Sequence, residues 1–454
     1  MLAAGILGGF PAPVPSAQAQ SGEAWDPFLD SLQQRTLHWF LVTTAENNGL
    51  TPDRWPARAP ASIGATGFGL TAIPLAAERH IITRHAAAIR ILTCLRFLLS
   101  IPQGDAATGT GGYRGFFYHF LNTRTGLREW NSELSTVDTG LLLMGVLFCE
   151  SYFTRDSPTE QNIRRLADSL YRRVDWTWSL NGTEGITLGW TPDEGFHHIT
   201  WRGYNEALFL YILALGSPTH AIPPASYAHW LSGYRWLSYR DREFVSFAPL
   251  FGHQYSACWI DFRGIRDAYM NGKGIDYFEN SRRATYTHQD YGKTNPSGWR
   301  DYSSEIWGWT SCDGPRDTAF TVDERSRHFQ GYAARGPSAD WTNDDGTIAP
   351  TAAASSVPFA PGICISAVKA MRRKYGAQLY TEYGFHDAFN PTFVTPATPG
   401  GWFDPDYLGI DQGPIALMIG NARDGIVWRV LRSNPAIVKG LRRAGFTGGW
   451  LDKR

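Results

Sequence analysis

Apolar residues recur every three or four positions along most of the chain, which is the spacing of a helix with one buried face. Alternation typical of strands is confined to short pieces such as residues 116–122. The pattern predicts about a dozen helices, mostly long and apolar, joined by polar and aromatic loops. The predicted helices are residues 26–45, 64–80, 81–101, 131–153, 155–178, 207–215, 223–236, 256–271, 274–293, 352–375 with an interruption near 358–362, 407–421, 426–433 and 435–444.

The order of these helices predicts the architecture. No linker rich in Gly, Ser or Pro divides residues 24–454, and no repeat of fixed period is found. We therefore predict a single all-α domain over this range. Because consecutive helices usually pair in space, the pattern indicates a double ring of helices whose loops form a cleft at one end.

Composition narrows the class of ligand. The 42 Lys plus Arg balance the 42 Asp plus Glu, which disfavours a nucleic-acid partner because such proteins need a basic surface. Aromatic residues make up 14% of the chain, with 18 Trp. Their apolar faces and polar edges suit amphipathic ligands such as sugars, although a Trp-rich core would give the same composition.

The N-terminal segment resembles an export signal. An apolar run and a Pro-rich stretch precede Ala17-Gln18-Ala19, which has the form of a cleavage site, so residues 1–19 are predicted to be a signal peptide. The basic residues that usually open such a signal are missing. We expect a periplasmic or secreted protein, and no later stretch reaches the roughly twenty apolar residues of a membrane span.

The five cysteines are scattered, and most lie inside apolar segments. No Cys-x-x-Cys pair occurs, so neither a zinc site nor a disulfide framework is indicated. Buried thiols are the expected outcome.

The stretch 200–220 places a polar cluster at the start of an apolar helix. Glu206 follows Trp201, Arg202, Tyr204 and Asn205. A carboxylate at a helix N-terminus is stabilised by the helix dipole, so Glu206 could be a first-turn acid of purely structural importance. The alternative is a cleft carboxylate beside an aromatic ring, a guanidinium and an amide.

A second acidic pair, Glu133 and Asp138, lies in NSELSTVDTG. Capping by Ser132 or Asn131 would explain Glu133 as a first-turn acid. Capping does not explain Asp138, because an acid next to an apolar run is costly unless it is paired or faces a cleft.

Other polar clusters occur farther along the chain. His197 and His198 lack the i, i+4 spacing of a helical metal pair, so no metal site is predicted there. Asp261, with Arg263 or Arg266, could be a buried ion pair. No nucleophile elbow and no dinucleotide-binding glycine pattern is present. Carboxylates and aromatics without a cofactor motif favour glycoside hydrolysis, which requires two positioned carboxyls.

Several longer strings resemble the bacterial glucoamylase-like family of endo-β-1,2-glucanases, glycoside hydrolase family 144. They are WRGYNEALFLYILALGSPTH, HQYSACWIDFRGIRD, DYFENSRRAT, TSCDGP, DDGTIAPTAAASSVPFAP, YGFHDAFN and LGIDQGPIALMI. The resemblance implies an (α/α)6 barrel that hydrolyses β-1,2-glucan to short sophoro-oligosaccharides without a metal or organic cofactor. One departure is Gly420, where an acidic residue is expected after the LMI string.

The resemblance also assigns residues. It implies Glu206, Glu133 and Asp138 as the cleft acids and inversion at the anomeric centre. Our hypothesis is that Glu206 is the general acid, because burial at the helix start raises its pKa, and that one of the other two activates water. The implied substrate contacts are Trp201, Arg202, Tyr204, Asn205, His253, Gln254, Trp259, Asp261, Arg263, Arg283, Asp313, Asp411 and Gln412. We expect Trp201, Trp259 and Trp309 to stack on the faces of sugar rings.

Three alternatives share these features. An exo-acting relative would release units from a chain end, and an α-glucan hydrolase would use the same acids on a different linkage. A non-catalytic periplasmic glucan-binding protein would need the aromatics but not the three carboxyls together.

Overall fold

The computed structural model describes residues 25–453, so the predicted signal peptide at 1–19 lies outside the described residues. Fifteen α-helices occur in the described part of the chain. They are α1 (Pro27–Thr43), α2 (Ile63–Glu78), α3 (Arg84–Ser100), α4 (Thr136–Tyr152), α5 (Pro158–Arg172), α6 (Leu208–Gly216), α7 (Pro224–Leu231), α8 (Phe251–Trp259), α9 (Ala268–Lys273), α10 (Tyr277–Thr294), α11 (Pro350–Ala354), α12 (Pro361–Tyr375), α13 (Gly409–Asp424), α14 (Ile426–Leu431) and α15 (Pro435–Arg443).

The strands are short and lie between the helices, where they form antiparallel pairs and one three-stranded sheet. They are β1 (Arg54–Trp55), β2 (Ala61–Ser62), β3 (Gly112–Tyr113), β4 (Phe116–Phe117), β5 (Phe120–Leu121), β6 (Leu134–Ser135), β7 (Gly189–Thr191), β8 (Gly195–Phe196), β9 (Trp236–Tyr239), β10 (Arg242–Val245), β11 (Ser311–Cys312), β12 (Thr318–Val322), β13 (Arg325–Phe329), β14 (Ala333–Ala334), β15 (Tyr380–Thr381), β16 (Gly384–Phe385), β17 (Phe389–Asn390), β18 (Trp402–Phe403) and β19 (Tyr407–Leu408). β1 pairs with β19, and β6 with β7, which ties distant loops together.

The all-α prediction is confirmed, and most helices lie within a few residues of their predicted bounds. The predicted helix 256–271 is wrong: α8 ends at Trp259, and α9 begins only at Ala268. The chain becomes extended at Ile260, and the side chain of Asp261 is completely buried in ion pairs. The helix predicted at 131–153 begins in the structure only at Thr136, because Ser135 caps α4 and Glu133 lies before β6.

Helix packing follows the apolar pattern. The nearly uniformly buried helices α2, α4 and α6 pack in that order, and α13 contacts α2, α8 and α11. Helices with one polar face lie against them: α5 packs on α4, α15 on α6 and α12 on α11. Gln254 of α8 donates a hydrogen bond to the carbonyl of Ala352 in α11. In the described residues no helix is both long and apolar enough to cross a membrane.

All five cysteines are free and buried, as predicted. The prediction of a single domain over residues 24–454 stays a prediction.

Glycines allow the closest helix pair, α2 and α4, to touch through their backbones. A Cβ atom on Gly145 would lie 2.2 Å from the carbonyl oxygen of Gly67. A Cβ on Gly67 would lie 2.3 Å from the carbonyl oxygen of Leu141. Since both neighbours are backbone atoms, no side-chain rotation can relieve the contact.

We expect Gly145→Ala to lower the free energy of unfolding by about 1–3 kcal/mol or more, as overpacked cores do. Gly272→Ala in α9 is the matched control, because nothing lies within 4 Å of its added Cβ. Denaturant unfolding of both variants tests this. Equal stability of the two would contradict the backbone contact.

Candidate active site

A cavity of about 590 Å³ opens where the apolar helices begin, and we call it the central cavity. Its wall combines carboxyls, two histidines, one arginine and several aromatic rings. The lining residues are Asp53, Arg54, His119, Phe120, Trp130, Glu133, Ser135, Val137, Asp138, Leu141, Leu188, His197, Trp201, Glu206, Phe251, Tyr255, Ser311, Tyr332, Leu408 and Ile410. The three carboxyls predicted as cleft acids thus meet in one cavity, together with Trp201.

Glu206 is positioned by the start of α6. It lies two residues before the helix, where the Asn205 side chain accepts a hydrogen bond from the Ala207 amide. The carbonyl of Glu206 accepts a hydrogen bond from the Ser256 hydroxyl of α8. Burial raises the pKa of Glu206 to about 7; a backbone hydrogen bond lowers it, and the negative charge of Asp138 raises it. Near neutral pH this carboxyl is therefore partly protonated.

Glu133 and Asp138 are joined through a histidine that the sequence analysis missed. His119 Nδ1 lies 3.0 Å from Glu133 Oε1, and His119 Nε2 lies 3.7 Å from Asp138 Oδ2. Burial alone would lower the pKa of His119, but the charge of Asp138 and the hydrogen bond with Glu133 raise it to about 9. His119 is therefore an imidazolium cation at neutral pH.

The same histidine keeps Glu133 ionised. Burial would raise the pKa of Glu133, but the hydrogen bond with His119 and its positive charge lower it below the usual range. The hydroxyl of Ser135, which caps α4, donates a 2.6 Å hydrogen bond to Asp138. The cavity therefore holds Glu133, which His119 keeps ionised, on one side and Glu206, a carboxyl that carries a proton more readily, on the other.

A group of buried carboxyls lies behind Arg54. Its guanidinium donates 2.5 Å and 3.2 Å hydrogen bonds to Asp313 and Asp53. Oxygens of Asp313, Asp387 and Asp404 all lie within 4.8 Å of one another, close enough to hold a metal ion. Burial, followed by neighbouring negative charge, raises the pKa of both Asp387 and Asp404. Protons shared among these carboxyls can therefore balance their buried charge without a cation. The absence of a metal stays a prediction.

Two tryptophans predicted to stack on sugars do not reach the cavity. Trp259 and Trp309 are 0% and 1% exposed. The indole of Trp259 donates to Thr71, and that of Trp309 donates to Tyr302. The stacking prediction for both is wrong, because neither ring presents a face that a ligand can contact.

Three further predicted contacts are buried and bind backbone. His253 lies 3.0 Å from the Phe247 carbonyl, and burial lowers its pKa to about 4. Gln254 donates to a carbonyl of α11, as described above, and Gln412 donates to the Phe385 carbonyl. They hold the cavity's supporting elements together and do not line it.

Another set lies away from the cavity. Asp261, beyond the C-terminal end of α8, accepts hydrogen bonds from Arg263 and Arg432, so the ion-pair alternative describes it. Arg283 donates to Glu279 and to the Glu243 carbonyl. The structure places these residues in ion pairs and hydrogen bonds outside the central cavity, not at a substrate contact.

The remaining predicted contacts are neighbours of lining residues. Arg202 donates to Ser232, and Tyr204 stacks on Tyr277 with ring centroids 5.8 Å apart. Asp313 reaches the cavity wall only through Arg54. Asp411 is 3% exposed, and burial raises its pKa.

Some lining residues left little signal in the sequence. Arg54, His119, Trp130 and Tyr332 were not singled out. His119 interrupts the apolar string FFYHFLN, so a polar residue in a short buried strand segment was the available signal. The others belong to loops whose partners are distant in sequence.

The fold and the cavity define a class of helical proteins in which carboxyls and aromatic rings line a cleft. Residues 198–435 match the model of the "Glycoamylase" family, described as "Putative glucoamylase", and the chain belongs to this family. A curated relative from Parabacteroides distasonis is named "Exo beta-1,2-glucooligosaccharide sophorohydrolase (non-reducing end)". It is 28% identical over 456 aligned positions, which cover 92% of this chain and 58% of the relative. The chain thus spans little more than half the length of that relative.

Solved structures show the same relationship. A "putative glucoamylase" from Bacteroides uniformis is 32% identical with a TM-score of 0.82, covering 95% of this chain and 100% of that one. The endo-beta-1,2-glucanase from Chitinophaga pinensis, solved with sophorotriose and glucose, is 26% identical with a TM-score of 0.81. That comparison covers 94% of this chain and 100% of the glucanase. The curated relative from Parabacteroides distasonis and the glucanase from Chitinophaga pinensis are both named for action on β-1,2-linked glucose chains.

We expect His119 to titrate near pH 9 in NMR spectra of its imidazole, with the resonance assigned by its loss in His119→Gln. Glu133→Gln should lower this midpoint, because it removes a carboxylate that stabilises the cation. Glu194→Gln, an exposed acid outside the cavity lining, is the control and should leave it unchanged.

The same shift predicts a stability profile. The pKa of His119 is raised from 6.5 to about 9 on folding, so its contribution is complete below pH 6.5 and is lost as pH rises through 9. The difference in thermal midpoint between the wild type and His119→Gln should therefore shrink across this range. A constant difference would contradict the assignment.

Proposed function

We propose that the protein is a glycoside hydrolase that cleaves β-1,2-glucan to short sophoro-oligosaccharides by carboxylate acid/base catalysis. The observation that carries the proposal is the division of protonation in the central cavity. Glu206 retains a proton near pH 7, while Glu133 is held ionised beside the His119 cation. Hydrolysis of a glycosidic bond needs this division: an acid protonates the leaving oxygen, and a base activates water.

In the proposed mechanism Glu206 donates its proton to the glycosidic oxygen. Glu133 or Asp138 accepts a proton from the attacking water, and His119 positions these two carboxylates without touching the reacting atoms. Trp201 supplies a platform for one sugar ring, and its indole donates to Thr136, which fixes the ring's orientation. Inversion at the anomeric carbon is the proposed outcome, on the resemblance to the family.

The choice of β-1,2 linkage rests on the named relatives, and they differ in mode of attack. The glucanase from Chitinophaga is named as endo-acting, whereas the enzyme from Parabacteroides is named as exo-acting. We propose internal cleavage, with exo action as the alternative. Action in the periplasm or outside the cell is part of the proposal.

We also propose that the helices form an (α/α)6 barrel. The contacts of α2, α4, α6, α8, α11 and α13 support an inner ring, because each of these helices touches the next and α13 returns to α2. The loops that precede these six helices supply most of the central cavity's lining, which is the arrangement expected for a barrel with its cleft at one end.

The substrate test is incubation of the purified protein with linear β-1,2-glucan and with soluble starch. A ladder of β-1,2-oligosaccharides is expected, and disaccharide alone would indicate exo action. Cleavage of starch but not of β-1,2-glucan would contradict the linkage. Glucan binding without any product would identify a binding protein instead.

Glu206→Gln should reduce kcat/KM by about 10²–10⁴-fold, which is the usual contribution of a general acid. Glu194→Gln is the control at an exposed acid and should retain activity. In the wild type, kcat/KM should fall above about pH 7, because Glu206 loses the required proton there. Near-normal turnover by folded Glu206→Gln would rule out this role.

Glu133→Gln and Asp138→Asn separate the two candidates for the base. The variant that removes the base should lose about 10²–10⁴-fold in kcat/KM. The other should lose less, because it only disturbs the His119 contact. NMR of the first-formed anomer checks the stereochemistry, and a retained β configuration would contradict inversion.

A further inference from the structure

A second cavity of about 480 Å³ continues from the central cavity, and we call it the distal groove. Its two walls are the chain at Arg54–Arg58 and the turn that carries Glu129 and Trp130. Arg54 and Trp130 line both cavities, so the two spaces are adjoining parts of one surface depression.

The distal groove carries exposed aromatic rings where a folded protein would normally bury them. Trp130 is 63% exposed and Trp55 is 42% exposed. Only seven large hydrophobic side chains are exposed in the described part of the chain, and Trp55, Trp130 and Tyr332 of the two cavities account for three of them. Such clustering of exposed aromatics beside a cavity marks a binding surface.

The backbone presents Trp130 in an uncommon conformation. Trp130 and Asn131 have φ of 56° and 51°, a region that residues other than glycine rarely adopt. Arg128 holds this turn, since its guanidinium donates to the carbonyls of Asn131 and Ser132 at 2.8 Å and 2.7 Å. The ring of Trp130 lies 5.2 Å from that of Phe120 in the central cavity. The turn is therefore fixed, and it directs an aromatic ring to the boundary between the two cavities.

The opposite wall is fixed as well. Trp55 belongs to β1, which pairs with β19 in front of α13, and Tyr407 is its register partner. The Ala57 amide donates a 3.0 Å hydrogen bond to Asp406. Because Trp55 is held by backbone pairing rather than by packing of its own ring, the exposed ring is available to a ligand.

The groove's chemistry fits a carbohydrate chain. The two indole rings offer apolar faces for pyranose C–H groups, and the exposed guanidinium of Arg58 with the amide and carboxylate of Asn122 and Glu129 offers partners for hydroxyls. Glu129 already accepts a 2.9 Å hydrogen bond from Asn122, so this polar pair is pre-oriented.

We infer that the distal groove binds the part of a glucan chain that extends beyond the sugars held in the central cavity. The inference rests on the proposed function and deepens it by assigning Trp55 and Trp130 to recognition of long chains. Trp130 stands at the boundary, whereas Trp55 lines the distal groove and is not among the residues that line the central cavity. The groove therefore sets a preference for chain length and leaves the chemical step to the carboxyls.

The test measures kcat/KM of the wild type for β-1,2-linked gluco-oligosaccharides of increasing length and for the polymer. For the wild type, kcat/KM should rise with length after the central cavity is filled. Trp55→Ala should lower kcat/KM for long chains by about three- to tenfold, the range of one aromatic contact, through KM rather than kcat. For the shortest oligosaccharide that is cleaved, the kcat/KM of Trp55→Ala should stay within about twofold of the wild-type value.

Two matched variants exclude a general effect on folding. Trp341→Ala removes another exposed tryptophan, 50% exposed and outside both cavities, and should leave the length profile unchanged. Trp55→Phe keeps an aromatic face and should restore most of the long-chain preference. Thermal unfolding of each variant checks that the fold is intact.

The outcomes separate the inference from the proposed function. Suppose that the wild type cleaves β-1,2-glucan. If Trp55→Ala then lowers kcat/KM by the same factor for short and long chains, or lowers it for neither, the distal groove does not set the preference for chain length. If the wild type cleaves no β-1,2-linked substrate, the proposed function fails and the inference fails with it.

Discussion

The charge balance around His119 links Glu133 and Asp138, two of the carboxyls that line the central cavity. An imidazolium between Glu133 and Asp138 makes two buried carboxylates tolerable, because each has a positive partner within 3.0–3.7 Å. Without that cation, two ionised acids at the beginning of an apolar helix would carry a large desolvation cost. Burial raises the pKa of Glu206, and the negative charge of nearby Asp138 raises it further. The difference in protonation between Glu206 and Glu133 therefore depends on four residues together: His119, Glu133, Asp138 and Glu206.

The helices supply the burial that this balance requires. α4 begins directly after Ser135, which both caps the helix and hydrogen-bonds Asp138. The contact between α2 and α4 through Gly67 and Gly145 brings their N-terminal ends close together. A carboxyl near these ends is screened from water on one side by apolar helices and faces the cavity on the other. Local capping, close helix packing and perturbed protonation thus have one structural origin.

The sequence was informative where local pattern decides the outcome. The apolar period located the long helices, and the three carboxyls were found because each lies at the junction of a polar string and an apolar helix. The pattern failed at residues 256–271, where the buried ion pair of Asp261 with Arg263 and Arg432 ends the helix, and Arg432 is distant in sequence. Trp259 and Trp309 were misassigned because a polar neighbourhood in the chain does not report a ring's burial in space. His119 and Arg54 act through partners that only the folded chain brings near them.

The cluster of carboxyls behind Arg54 shows the same compensation of buried negative charge at the boundary of the two cavities. Arg54 pairs with Asp313 and Asp53 and lines both the central cavity and the distal groove. Asp387, one layer deeper, accepts a hydrogen bond from the Asp313 amide, and burial raises its pKa. One guanidinium therefore pairs with the acids nearest the surface, whereas burial and neighbouring negative charge favour the protonated form of the deeper Asp387 and Asp404. These ion pairs hold the Arg54 side chain in place, and this single side chain forms part of the wall of both cavities.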